Sequence, residues 1–412
     1  MMQFILFDDN WLALHPLTLT RPTAALRIGI MTIAEKWQKA LDSKQIGFLT
    51  QPYLSEKYPL GLEENNMTPI CWINGAIVPT PELLLAIQDL ALGESLYWNG
   101  KLMAFKQNKS HTPFLPKNTI ALEALALAGK NVNFIPQQPQ QPILIQRTWD
   151  LFSFNKQALI LDFETLTRNR VSQPISSTNT ILGDANQIFI EAGASVECAV
   201  LNVKDAPIYI GKNAEVMEGA IIRGGLALCE GAGVKMGAKL YGANTIGPHA
   251  KVGGEMSNSV ILGYSNKGHE GFLGNSVLGE WCNLGADTNN SNLKNNYSQV
   301  EMWDYLTNDY ISTGLTFCGL VMGDHSKCGI NTMFNTGTTV GVSVNFFGAG
   351  YPAKFIPSFA WGGNEGYSTY RLDKVLETAN RVLARRGLQV SAQDANILQY
   401  IFENSKQERS WE

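Results

Sequence analysis

The stretch IGKNAEVMEGAIIRGGLALCEGAGVKMGAKLYGANTIGPHAKV, residues 210–252, decides the fold. Aliphatic residues stand at Ile210, Val216, Ile222, Leu228, Val234, Leu240, Ile246 and Val252, a constant spacing of six. With aliphatics at about a quarter of positions, such a run has chance odds on the order of 10⁻⁵ per reading frame. Small residues follow four positions later at Ala214, Ala220, Ala232, Ala238 and Ala250. A period of six fits neither the helix nor simple strand alternation. It fits a coil of three short strands per turn, in which each aliphatic points inward and stacks on its equivalent three hexads away. This hexapeptide pattern predicts a left-handed parallel β-helix.

Outward from this core the repeat thins after Val252 and resumes at Leu273, Leu278 and Leu284. A polar stretch, residues 289–309, interrupts it before a loose return through Val321, Ile330, Val340 and Val344. The coil is assigned to 181–366. In 367–412, apolar residues at helical spacing (Leu372, Val375, Leu376, Ala379, Val382, Leu383) predict one helix closed by Gly387, and Ser391 is the expected N-cap of a second. Upstream, Phe4-Ile5-Leu6-Phe7, Ile46–Leu49 and Ile70–Ile73 read as strands and Pro81–Leu92 as a helix, so residues 1–148 form an α/β domain. The break Gln137-Gln138-Pro139-Gln140-Gln141-Pro142 and an amphipathic connecting helix within 149–180 join the two parts.

Composition narrows the function. The chain has 412 residues, 45% hydrophobic and 17% charged, with a net charge of −4. That balance argues against nucleic-acid and anionic-membrane partners, which call for a basic surplus. No apolar run reaches the length of a membrane span, and the N-terminus lacks the basic segment of a secretory signal. The six cysteines are scattered without a CxxC pair, so they are expected to be reduced thiols in the cytoplasm, with no metal site.

Chemistry concentrates in Gly263–Gly274 and Asn283–Tyr297, where His269, Lys267, Asn283, Asn292 and Lys294 sit among glycines. A neutral imidazole is a competent base near pH 7. Amides can orient an amine and polarise a thioester carbonyl. The isolated His15, His111, His249 and His325 offer no such cluster. Turn-forming asparagines with a surface histidine would be the bland account of the same residues.

Ser265-Asn266-Lys267-Gly268-His269-Glu270-Gly271-Phe272-Leu273-Gly274-Asn275, then Asn283-Leu284-Gly285-Ala286-Asp287-Thr288, then Ser291-Asn292-Leu293 resemble three segments of the bifunctional glucosamine-1-phosphate acetyltransferase/N-acetylglucosamine-1-phosphate uridylyltransferase family. The resemblance implies His269 as general base, Asn283 as the amide on the amino sugar, and Ala286, Asn292 and Leu293 along acetyl-CoA, with Lys294 beside them. Lys267, Lys251 and Phe272 are the further expected substrate contacts. Phe272 replaces the family's tyrosine, and of its upstream phosphate-binding cations only Lys251 is reproduced. Leu14-His15-Pro16-Leu17-Thr18-Leu19-Thr20-Arg21-Pro22 resembles, faintly, the segment after the family's phosphate loop, so Thr18 and Arg21 become nucleotide-contact candidates. The glycine-rich loop itself is replaced by Phe7-Asp8-Asp9-Asn10-Trp11, whose carboxylates repel phosphate unless they hold a metal.

The expected function is acetyl transfer from acetyl-CoA to an amino-sugar phosphate, glucosamine-1-phosphate first. The alternatives are a sugar-1-phosphate nucleotidyltransferase, with Mg²⁺ needed only if the N-terminal domain is active, and a non-catalytic scaffold that senses a sugar nucleotide. The resemblance also implies a homotrimer with acetyl-CoA between neighbouring coils, and the 289–309 interruption is expected to reach toward an adjacent chain.

Overall fold

The computed structural model describes residues 2–43, 45–62, 68–108, 115–136 and 141–412; His111 and residues 137–140 of the proline-rich break lie outside them. Two compact units result. One comprises Met1–Leu14, Thr20–Leu26 and Met31–Gln146, the other His15–Leu19, Arg27–Ile30 and Arg147–Glu412.

The first unit is α/β. Its six-stranded sheet runs in the order Gly47–Leu49, Gln3–Phe7, Ile70–Asn74, Lys101–Gln107, Glu94–Trp98 and Lys130–Asn133. Gln3–Phe7 is parallel to both of its neighbours, and Lys101–Gln107 is antiparallel to both of its own. Ile70–Asn74 is buried at every position, which explains its unbroken apolar reading. Helix Ile33–Ala40 starts on a Thr32–Glu35 capping box, and helix Pro81–Asp89 on Thr80 with proline in its first turn.

The second unit is a left-handed parallel β-helix of about 10 turns followed by two helices. Three parallel sheets form its faces. The first face runs from Ile188–Ile190 to Phe355–Ile356, the second from Ser195–Val196 to Ala360–Gly363, and the third from Thr180–Leu182 to Phe272–Gly274. All eight hexad aliphatics point inward and are at most 2% exposed. They stack as the period requires: Ile210 on Leu228 on Ile246, Val216 on Val234 on Val252, Ile222 on Leu240.

Beyond the interruption the strict period survives, carried by the expected Val340 together with residues that were not expected. Met322, Cys328, Phe334, Val340 and Phe346 fill the interior at a spacing of six. Ile330, expected inside, is 68% exposed at a corner. An aliphatic filter misses this register because methionine, cysteine and phenylalanine carry it.

The interruption itself is a hairpin, Glu301–Asp304 paired antiparallel with Asp309–Ser312. It packs on its own unit. Trp303 stacks on Phe355 at 4.3 Å, Tyr305 is buried edge-on to the same ring, and Asp304 pairs with Arg147 at 2.8 Å. Asn289–Asn290 still belong to the coil, paired with Met333–Phe334.

Helix Asn155–Thr167, expected as a connector, docks on the coil through Leu159 and Phe163 against Phe189, Tyr209 and Ala227. Asn155 fixes it, donating to the Ala243 carbonyl at 3.0 Å and accepting from the Gly29 N–H at 2.8 Å. The C-terminal helices are Leu372–Ala384 and Ala392–Asn404; Ser391 caps the second, accepting from the Asp394 N–H. Among the described residues, no helix is long and apolar enough to cross a membrane.

Candidate active site on the second face

The outward side chains of the second face fall into register columns because successive turns pair in parallel. One column runs Glu215, Gly233, Lys251, Asn266, Asn283, Lys327. The corner leading into this face needs a left-handed residue each turn. Asn213 and Gly231 supply it early in the coil, as their chemistry favours. Four successive turns then place rings there: His249, Tyr264, Trp281 and His325, with φ between 57° and 62° save Tyr264 at 54°. Tyr264 stacks on Trp281 at 4.3 Å, with His249 tilted against Tyr264 at 5.2 Å. Rings in this backbone region are uncommon, and here they stand side by side over consecutive turns.

Beside this ladder lies a cavity of about 390 Å³ lined by Lys235, Lys251, Asn266, His269 and Asn283, by Tyr264 and Trp281, and by Val382, Arg385 and Arg386 at the end of the first C-terminal helix. The lining holds four cations and no carboxylate. Burial lowers the Lys251 pKa, and the charges of Lys235, Arg386 and Arg385 lower it further. Arg386 is anchored by donating to the His249 carbonyl at 3.0 Å. His269 and Asn283 are solvent-exposed, so both polar groups are open to a ligand. The arrangement suits a polyanion, with an imidazole and two amides at its edge.

Gly253 and Gly254 form the corner beneath His269. A Cβ on Gly253 would stand 2.7 Å from the Gly268 carbonyl oxygen, and one on Gly254 2.8 Å from those of His269 and Gly271. Only glycine lets the two backbones approach so closely.

The structure gathers three of the expected residues here: His269, Asn283 and Lys251. Lys267 is a correction. It faces the coil interior in the column below Val252, is 0% exposed, and donates to the carbonyls of His269 and Glu270, so it presents no group to a substrate. Phe272 lies on the third face, its N–H bound to Asn289 Oδ1. Ala286 lies past the second face, its carbonyl accepting from Asn331. Asn292 donates to Asn275 Oδ1 at 2.8 Å, Leu293 bridges to Phe317, and Lys294 donates to the Gln299 carbonyl. None of these lines the cavity.

Sequence reasoning missed Lys235, Asn266, Tyr264, Trp281, Arg385 and Arg386. A signal existed for several: Lys251, Asn266 and Asn283 each precede an inward residue, and Lys235 follows one, so projecting the chain onto face and turn brings them together.

In the first unit, the loop after Gln3–Phe7 is locked internally. Asp8 is buried, accepts from the Thr23 N–H at 2.8 Å and the Thr50 hydroxyl at 2.5 Å, and burial raises its pKa to about 6. Asp9 accepts from Asn74 and lies 3.8 Å from Lys101. Thr18 is 0% and Arg21 5% exposed, and Thr18 belongs to the second unit, so the expected nucleotide contacts are buried and do not form one cluster in the first. Among the described residues no three His, Cys, Asp or Glu side chains gather to hold a metal.

None of the curated proteins compared with the chain matches it. Among solved structures, LpxA of Bacteroides fragilis, a UDP-N-acetylglucosamine acyltransferase, is 17% identical with a TM-score of 0.27, covering 57% of this chain and 98% of that one. Residues 4–171 match the family model described as sugar nucleotidyl transferase, so the N-terminal part of the chain is similar to that family.

Proposed function

We propose that the chain is an acyltransferase that moves acetyl from acetyl-CoA to the amine of an amino-sugar phosphate, glucosamine-1-phosphate being the first candidate. The observation that carries this reading is the four-cation cavity with His269, Asn266 and Asn283 at its edge. The amine nitrogen attacks the thioester carbonyl carbon while His269 takes the amine proton. The tetrahedral intermediate then collapses, the C–S bond breaks, and the imidazolium returns the proton to the departing CoA thiolate. General-base assistance of this kind contributes ~10²–10⁴-fold. The Asn283 amide is the candidate donor to the oxyanion. Lys235, Lys251, Arg385 and Arg386 receive the sugar phosphate, Lys251 as the one family cation that the sequence reproduces and the other three in place of those it does not.

His269→Ala tests this reading. Acetyl transfer should fall by ~10²–10⁴-fold with the melting temperature unchanged, and a variant at the parental rate would overturn it. A homotrimer belongs to the same proposal, because a second coil facing the cavity would enclose a ligand as long as coenzyme A. It brings Ala286, Asn292, Leu293 or Lys294 of a neighbouring chain toward the site. Light scattering should give the mass of three chains; a fully active monomer would contradict the assembly. The small-molecule partners and a cytoplasmic location are parts of this reading too.

A second reading, sugar-1-phosphate nucleotidyl transfer by the N-terminal part, is favoured by the family match over residues 4–171. The carboxylates of the first unit do not fit a Mg²⁺ site: Asp8 is buried and spent on Thr23 and Thr50, and Asp9 accepts from Asn74 and lies 3.8 Å from Lys101. Pyrophosphate release from UTP or dTTP with sugar-1-phosphates would establish the activity; its absence with every pair would remove it.

A further inference from the structure

We propose that Lys267 is a positioning residue that fixes the His269 loop from inside the coil, an inference that rests on the acyl-transfer reading above. The interior column of the second face runs Val216, Val234, Val252, Lys267, Leu284, Cys328, Phe346. Lysine is its one charged member. The side chain is 0% exposed, and its Nζ donates to the His269 carbonyl at 2.6 Å and to the Glu270 carbonyl at 3.0 Å. Both acceptors belong to the corner, residues 268–271, that carries the candidate base.

Stability does not account for this lysine. A buried charge loses its hydration, and two carbonyls return only part of that cost; an apolar replacement relieves the desolvation but leaves the His269 carbonyl without its donor, so the two effects offset. Burial lowers the Lys267 pKa to about 8, the mark of that unfavourable desolvation. Geometry does account for it. Beneath the corner, Gly253 and Gly254 occupy the preceding turn with no side chain to brace it, and Val252 to Met256 spans four residues where Lys267 to Leu273 spans six. The wide corner therefore overhangs a short one. The ammonium reaches the carbonyls from the interior and leaves the imidazole outside, on the cavity.

The test is Lys267→Met in the full chain, measured beside His269→Ala. Amide hydrogen exchange at Glu255 and Asp287, whose N–H groups donate to the Gly271 and Glu270 carbonyls of this corner, should accelerate about tenfold, while the strands from Ile208 to Ile246 keep their protection. With acetyl-CoA and glucosamine-1-phosphate, kcat should fall about 10²-fold, as a displaced base predicts, with KM for acetyl-CoA within about twofold. The melting temperature should stay within a few degrees of the parent, since relief of desolvation offsets the two lost hydrogen bonds. Lys267→Gln, which keeps a donor, should lie between the two. Unchanged exchange at Glu255 and Asp287 would overturn the proposal, as would an unchanged kcat or a variant that fails to fold, which assigns the lysine to stability. An active His269→Ala would remove the acyl-transfer reading instead, and that exchange would still decide what Lys267 does.

Discussion

The turns from Ile208 to Val252 and those from Gly253 to Asn290 share one architecture but obey different rules. In the first region every interior position is aliphatic and buried. The corner into the second face is turned there by Asn213 and Gly231, residues suited to it, until His249 begins the run of rings in the last of these turns. In the second region the interior accepts Lys267, a corner is shortened at Gly253-Gly254, and that left-handed corner carries Tyr264 and Trp281. Consistency specifies the fold, and departures from it specify the site.

The comparison can be broken most severely from the regular side. Leu228→Asp places an unpaired carboxylate in an apolar column and should abolish the folded state, read by circular dichroism as loss of the cooperative transition. Leu228→Ala should cost about 2–5 kcal/mol. In the irregular region, an apolar replacement of an interior residue should cost far less, since Lys267→Met removes a desolvated charge along with its two hydrogen bonds. The pH dependence sharpens that contrast. The folded-state pKa of Lys267, about 8, lies below its unfolded value of 10.5, so the unfolded chain binds more protons between those values. The unfavourable contribution of the charged lysine is therefore complete below pH 8 and fades as pH rises toward 10.5. The stability of Lys267→Met relative to the parent should fall over that window in urea titrations; a difference constant with pH would refute the assignment.

Smaller effects belong to the cavity. Arg386→Ala should raise KM for the phosphate-bearing substrate about tenfold, the loss of about one charge-assisted hydrogen bond, and the effect should weaken at high salt. The pKa of Lys251 is lowered by burial and by Lys235, Arg386 and Arg385, so affinity should decline with rising pH before an ordinary lysine would titrate. Smallest is Tyr264→Asn. Relief of left-handed strain, about 1–2 kcal/mol, should offset the lost stacking on Trp281, about 0.5–1.5 kcal/mol, and leave stability within about 1 kcal/mol of the parent.

Much of this architecture was legible in the sequence because backbone pairing forces a fixed period. Eight aliphatics at a spacing of six state the coil, and Ser391 states its helix start, since both depend on local rules. The continuation through Met322, Cys328, Phe334, Val340 and Phe346 obeys the same period but was obscured by its residue types. The site was half legible. His269 and Asn283 stood out by type and spacing, but Lys267 looked like a surface cation until the register showed which way it faces. Lys235 and Arg386 are 151 residues apart in the chain, and only the helix returning along the coil brings them together. The hairpin that begins at Glu301–Asp304 read as polar because Met302, Trp303 and Tyr305 lie among charged and amide residues, and the two rings pack on Phe355, distant in sequence.

The most direct test of the acyl-transfer account is a crystal structure of the full chain with acetyl-CoA. The acetyl thioester should lie close enough to His269 for an amine between them, within ~6 Å allowing two hydrogen-bond-length steps, with Lys235, Lys251, Arg385 and Arg386 left to the sugar phosphate. Acetyl-CoA bound away from His269, or no binding at millimolar concentration, would contradict it.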